Sequence, residues 1–248
     1  MRVRRLLSAF VMLAALAVTT GCATPAAPVS DKVQKYYDEN VTLKSTGGGP
    51  LVTTAMISVV GDSYTGGSGE GGYKLANWTS VAAGLLAKDN VNVIMNPVGI
   101  GGSGYVKAGQ TSQNFGQIAS EAVTSETTLI IYFGSRNDMD QDINAVQTEA
   151  ARTFAESRVK APQAKLLVIG APWVDQSAPE SITAINAALS TATAQSAGTF
   201  VDPVGERWFF DNPELIGADN THPTDAGHAY MAAKIAPHIK NVLIPSAD

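Results

Sequence analysis

Four short segments carry residue types that together could cleave an acyl ester. In "VVGDSYTGG" an apolar run stops at Gly61, and Ser63 stands where a buried strand would present it. A serine hydroxyl is a weak nucleophile and needs a base within hydrogen-bond reach. Of the three histidines, His222, His228 and His238, His222 is best placed. Asp219 precedes it by three residues in "DNTHP" and could fix one imidazole tautomer and stabilise its cation. The oxyanion of a tetrahedral intermediate needs N–H donors. The Ser63 amide, the backbone of Gly101 or Gly102 in "NPVGIGGSGY" and the side chain of Asn137 in "GSRND" are suitable.

Each of these residue types also has a plainer use. Ser63 could cap the following helix. "GGSGEGG" lacks the G-K-[ST] of a phosphate-cradling loop and reads as a flexible rim beside the serine. One histidine with a few acids is thin for zinc, so neither metal nor cofactor is expected. Asp62 reads as structural, bonding its own loop. His228 reads as a structural helix residue and His238 as a solvated one near a helix end.

These segments need a scaffold, and the hydropathy pattern supplies one. Strand-like runs are "TAMISVV", "VNVIMNPV", "TLIIYFG", "AKLLVIGAPW" and "TFVDPV". Between and after them, "NWTSVAAGLLAKD", "QNFGQIASEAV", "DINAVQTEAARTFAESRVKA", "PESITAINAALSTATAQSA" and "PTDAGHAYMAAKIAPHIKNVL" have helical spacing. Alternation of this kind implies an α/β domain with a parallel sheet covered on both faces. Ligands in such sheets sit outside the carboxyl ends of the strands. All four segments fall there or in the loops that follow.

No G-x-S-x-G elbow is present, which argues against the α/β-hydrolase solution. The ordered set instead resembles the SGNH hydrolase superfamily, the GDSL esterases and lipases. Its Ser, Gly, Asn and Asp-preceded His blocks all occur in order, and its strand–helix pattern extends over residues 55–245. The resemblance implies a flavodoxin-like three-layer α/β/α sandwich with a five-stranded parallel sheet. It implies Ser63 as nucleophile, His222 as base and Asp219 as its orienting acid. Gly102, Asn137 and the Ser63 amide would form the oxyanion hole. The chain departs from the family pattern in three places. GDSY replaces GDSL, "GSRND" is one residue longer than G-x-N-D, and counting five from Asn96 selects Gly101 rather than Gly102.

The implied activity is hydrolysis of a small-molecule acyl ester of a carbohydrate or lipid. An acyltransferase passing the acyl group to a sugar hydroxyl would share the intermediate. A non-catalytic binding lipoprotein is the third reading, and retention of the whole set argues against it. Tyr64, Arg136, Trp173 and Trp208 are candidate substrate-lining residues, with Tyr73, Trp78 and Tyr105 as further aromatics near the cleft. Arg136 could meet a carboxylate or sugar hydroxyl, or sit in a structural ion pair.

The chain has 248 residues and a formal net charge of -5. Residues 1–21 hold three arginines and no acid, leaving 14 basic against 22 acidic residues, or -8, from residue 22 onward. An acidic chain argues against a nucleic-acid partner. Arg2, Arg4 and Arg5 precede an apolar stretch, Leu6 to Val18, that is short for a bilayer span. It ends at the only cysteine, Cys22. This resembles a bacterial lipoprotein signal, with Cys22 lipidated and the protein tethered to the outer face of the membrane. The expected organisation is a signal peptide over 1–21, a tether and lead-in over 22–50 with a short helix near Val33–Tyr37, and a hydrolase domain over 51–248. A monomer is expected.

Overall fold

The computed structural model describes residues 54–245. The signal, Cys22, the tether and its expected short helix lie outside these residues. Five strands form: β1 (Ala55–Gly61), β2 (Val93–Gly99), β3 (Leu129–Phe133), β4 (Lys165–Ile169) and β5 (Thr199–Val201). The helices are α1 (Ser63–Gly66), α2 (Trp78–Lys88), α3 (Phe115–Ala122), α4 (Ile143–Lys160), α5 (Glu180–Gln195) and α6 (Asp225–Leu243). Side chains start several of them by taking otherwise unpaired N–H groups. Asn77 caps α2, Asn114 and Gln117 form a capping box on α3, Asp142 caps α4 and Thr224 caps α6.

All strand pairs are parallel, in the order β2-β1-β3-β4-β5. The inner strands β3 and β4 are almost wholly apolar because helices cover both of their faces. Strand alternation divides the core. Ile57, Val59, Leu129, Ile131, Phe133, Leu167 and Ile169 pack under α2 and α6. Val60, Ile130, Tyr132, Leu166 and Val168 pack under α3, α4 and α5 on the other face. Ser58 is the polar exception in β1. It is 1 % exposed, and its hydroxyl bonds the Ala122 carbonyl and the Thr127 hydroxyl, both at 2.9 Å. Edge strand β2 leaves Ile94 and Val98 exposed and tolerates Pro97, whose missing N–H is harmless at an edge.

The result is the three-layer α/β/α sandwich with a five-stranded parallel sheet. The strand order reverses direction between β1 and β3, which opens a crevice at their carboxyl ends. The segment after β1 holds Ser63 and the segment after β3 holds Asn137.

Candidate active site

Ser63 is the first residue of α1, immediately beyond β1. Asp62 makes the turn sharp: its Oδ1 accepts the Tyr64 N–H at 2.9 Å, and its carbonyl accepts the N–H groups of Thr65 and Gly66. His222 lies in the loop that leads into α6. That loop is closed by the Gly217 N–H donating to the His222 carbonyl at 2.8 Å and by the Thr224 N–H donating to the Leu215 carbonyl at 2.9 Å. The Oδ1 of Asp219 accepts the N–H groups of both Thr221 and His222 at 2.9 Å. Its other oxygen meets His222 Nδ1 at 2.5 Å, and His222 Nε2 stands 2.9 Å from Ser63 Oγ. Burial works to raise the Asp219 carboxyl, but the bonds from the His222 backbone and imidazole and from Thr221 outweigh it. They hold the group at about 2. A carboxylate, an imidazole and a hydroxyl therefore form one chain, with the carboxylate ionised over the whole neutral range.

The opposite wall of the crevice carries N–H donors. Among the described residues none accepts a hydrogen bond from the N–H of Ser63, Gly101 or Gly102. Both glycines border the cleft. Asn137 borders it too. Its Nδ2 donates to the Ser103 carbonyl at 2.9 Å and, more weakly, to Asp62 Oδ2 at 3.2 Å. The extra length of "GSRND" is absorbed by Ser135, which adopts a left-handed φ of 97°. The segment is locked by Asp138, whose carboxylate accepts from the N–H groups of Tyr105 and Lys107 at 2.7 and 2.8 Å and from the Ser135 hydroxyl at 2.7 Å. Asp138 thereby ties the loop after β3 to the glycine-rich loop after β2. Asp62 lies behind this arrangement, 1 % exposed. Burial pushes its carboxyl up to about 7, only partly offset by the Tyr64 N–H, His222 and Arg136.

These groups meet in a cleft of about 670 Å³ bordered by Ser63, Glu70, Tyr73, Gln110, Arg136, Asn137, Asp219 and His222, among others. Part of its border is bare backbone, where Gly66 and Gly99 approach each other closely. A Cβ on Gly99 would lie 2.1 Å from the Gly66 nitrogen, and one on Gly66 would lie 2.6 Å from the Gly99 carbonyl oxygen.

Several lining expectations need correction. Trp208 is wholly buried, and so are Trp78 and Tyr105, because their rings pack edge-on against Phe133 or Phe115 inside the core. Tyr64 touches the cleft but is 2 % exposed, and its hydroxyl donates to the Thr221 carbonyl at 2.5 Å. Trp173 does not border the cleft; its ring lies under the Arg136 guanidinium at 4.2 Å. Arg136 and Tyr73 do border it.

The rim "GGSGEGG" is pinned rather than loose. Glu70 accepts the Ala218 N–H at 3.0 Å, and the Gly72 N–H donates to Asp225 at 2.8 Å. His228 is buried against Gly72 and accepts the Trp78 N–H at 3.4 Å; burial depresses it to about 4 and keeps it neutral. His238 is partly exposed and meets Glu206 at 3.3 Å, so it is paired rather than freely solvated. Sequence reasoning missed Glu70, Gln110 and Asp138. Asp138 adjoins Asn137 in "GSRND", a signal that could have been used; the other two have none. Among the described residues no group of three or more His, Cys, Asp or Glu side chains could hold a metal.

Residues 59–230 match the model of the GDSL-like lipase/acylhydrolase family. The chain is 40 % identical over 191 residues to GDSL lipase Rv0518 of Mycobacterium tuberculosis, covering 76 % of this chain and 83 % of that one. In fold it is similar to TesA, with a TM-score of 0.63 at 19 % identity over 75 % of this chain and 99 % of that chain. It is also similar to a family two carbohydrate esterase from Clostridium thermocellum in complex with cellohexaose. There the TM-score is 0.57 at 17 % identity, covering 80 % and 67 % of the two chains.

Proposed function

Since the chain belongs to the GDSL-like lipase/acylhydrolase family and is an SGNH-type ester hydrolase, we propose that it works through an acyl-enzyme on Ser63. One observation carries this reading: residues 159 positions apart bring His222 Nε2 to 2.9 Å from Ser63 Oγ. In the first half-reaction Ser63 Oγ bonds to the ester carbonyl carbon while His222 takes its proton. Asp219 holds the Nδ1–H side of the ring and stabilises the imidazolium. The carbonyl oxygen becomes an oxyanion faced by the N–H groups of Ser63 and Gly102, with Gly101 beside them, and by Asn137. The long Asn137–Asp62 bond is the one the oxyanion displaces. Collapse breaks the carbon–oxygen bond to the alcohol, which leaves with the proton from His222. Water then attacks the acyl group, again deprotonated by His222, and frees the acid and Ser63.

We assign the substrate to O-acylated carbohydrates or lipids. The cleft bordered by hydrophilic side chains supports this, as does the fold shared with an esterase crystallised with a cello-oligosaccharide. The leader "MRVRRLLSAFVMLAALAVTTGC" supports tethering through lipidated Cys22 to the outer face of the membrane. The test is Ser63→Ala. Hydrolysis of p-nitrophenyl esters should vanish, and the wild-type protein should gain the mass of one acyl or phosphonyl group at Ser63. Full activity in the variant refutes the mechanism.

A further inference from the structure

Among the described residues that border the cleft, Arg136 is the only lysine or arginine. It adjoins Asn137 in the turn after β3 and borders the same cleft as Ser63 and His222. A cation in a half-enclosed site ordinarily has a carboxylate partner. Arg136 has none within ion-pair distance among the described residues.

Each nearby acid is occupied elsewhere. Asp138 takes donors from Tyr105, Lys107 and Ser135. Asp219 takes His222, and Glu70 takes the Ala218 N–H. Asp62 takes the Tyr64 N–H and Asn137 and meets Arg136 only through its charge, beyond ion-pair distance. The Tyr64 hydroxyl is a side-chain hydrogen-bond partner of Arg136, while Nη1 is buried without an acceptor in hydrogen-bond geometry. The guanidinium is held by the Tyr64 hydroxyl and by stacking, with its central carbon 4.2 Å from the centre of the Trp173 ring. The result is a guanidinium oriented by an aromatic platform at the border of the cleft, with no carboxylate paired to it among the described residues and one nitrogen, Nη1, buried and unsatisfied.

We propose that Arg136 is a carboxylate-recognising subsite, so that the preferred esters carry a carboxylate near the scissile bond. A guanidinium fork matches a carboxylate in two parallel hydrogen bonds, which a sugar hydroxyl cannot supply. The inference rests on the esterase reading and narrows its substrate class to acidic esters.

Two matched substrate pairs test it. An O-acetylated methyl glucuronide against the O-acetylated methyl glucoside places the charge on the alcohol side. The p-nitrophenyl hemisuccinate against the butyrate places it on the acyl side. In one pair the wild-type kcat/KM should favour the acidic ester by about tenfold or more, the scale of one charge-assisted hydrogen bond. Arg136→Gln should erase that ratio, Arg136→Lys should keep part of it, and added salt should shrink it. A wild-type ratio near one in both pairs, or a preference that survives Arg136→Gln, overturns the proposal. An equal fall on both members of each pair would make Arg136 only a support for Asn137, and that also overturns it. If Arg136→Gln does not fold, titration of the Ser63→Ala protein with methyl glucuronide and with succinate decides. Binding of either that weakens with salt supports the subsite, and no binding of both rejects it. Failure of the esterase reading would look different, as hydrolysis persisting in Ser63→Ala.

Discussion

Replacing Asp62 by asparagine should change how the stability of the protein depends on pH. The Asp62 carboxyl is 1 % exposed, and burial raises it from 3.8 to about 7. At about 1.4 kcal/mol per pKa unit, this is on the order of 4 kcal/mol of ionisation cost. In the unfolded chain the group ionises above 3.8, whereas the folded protein keeps the proton until about 7. Unfolding between those values releases a proton, so this group makes the fold less stable as pH rises, and the loss is complete above pH 7. About 2 to 3 kcal/mol of it falls between pH 5 and pH 8. An amide stays neutral throughout. Guanidinium unfolding of both proteins at the two pH values gives the comparison. The stability of Asp62→Asn relative to wild type should be greater at pH 8 than at pH 5 by about 2 to 3 kcal/mol. Any constant cost of the substitution, such as the new amide facing Asn137, appears at both pH values and drops out. His228, neutral in the fold because burial lowers it to about 4, costs stability as pH falls below 6.5, but equally in both proteins. A relative stability that does not move with pH would refute the reasoning.

Asp219→Asn should lower kcat about a thousandfold or more with KM little changed, because the amide favours the wrong imidazole tautomer; steady-state ester hydrolysis measures this. Gly72→Ala should cost about 3 kcal/mol, or about 10 °C in Tm. Gly72 has φ 82°, and an added Cβ would lie 2.0 Å from Nε2 of the buried His228; thermal unfolding checks it.

The layers of the fold were legible because period-2 and period-3.6 hydropathy is imposed by burial, and β1, β3, α4 and α6 are long or apolar enough to show it. The meeting of Ser63, His222 and Asp219 was legible from four ordered segments, since each follows a strand or precedes a helix. Burial of individual aromatics was not. Trp208, Tyr105 and Tyr73 are similar in type and all lie near the cleft edge in sequence, yet only Tyr73 faces solvent. Which ring fills the core depends on partners brought together by the fold, such as Phe133 for Trp208, 75 residues earlier in the chain. The pinning of "GGSGEGG" was invisible for the same reason. Glu70 and Ala218 are 148 residues apart, and a glycine-rich run looks loose until its distant partner is known. Arg136 was open between an ion pair and a ligand contact, and only the surroundings of each neighbouring acid separate the two.

The contact between the Gly66 and Gly99 backbones limits how such an enzyme can diversify. No side chain can be introduced at either of these two positions without pushing the main chains apart, so evolution cannot tune selectivity there. Variation must come from the sides, at positions such as Tyr73, Gln110 and Arg136. Directed mutagenesis for altered ester preference should begin with those three and leave the two glycines untouched.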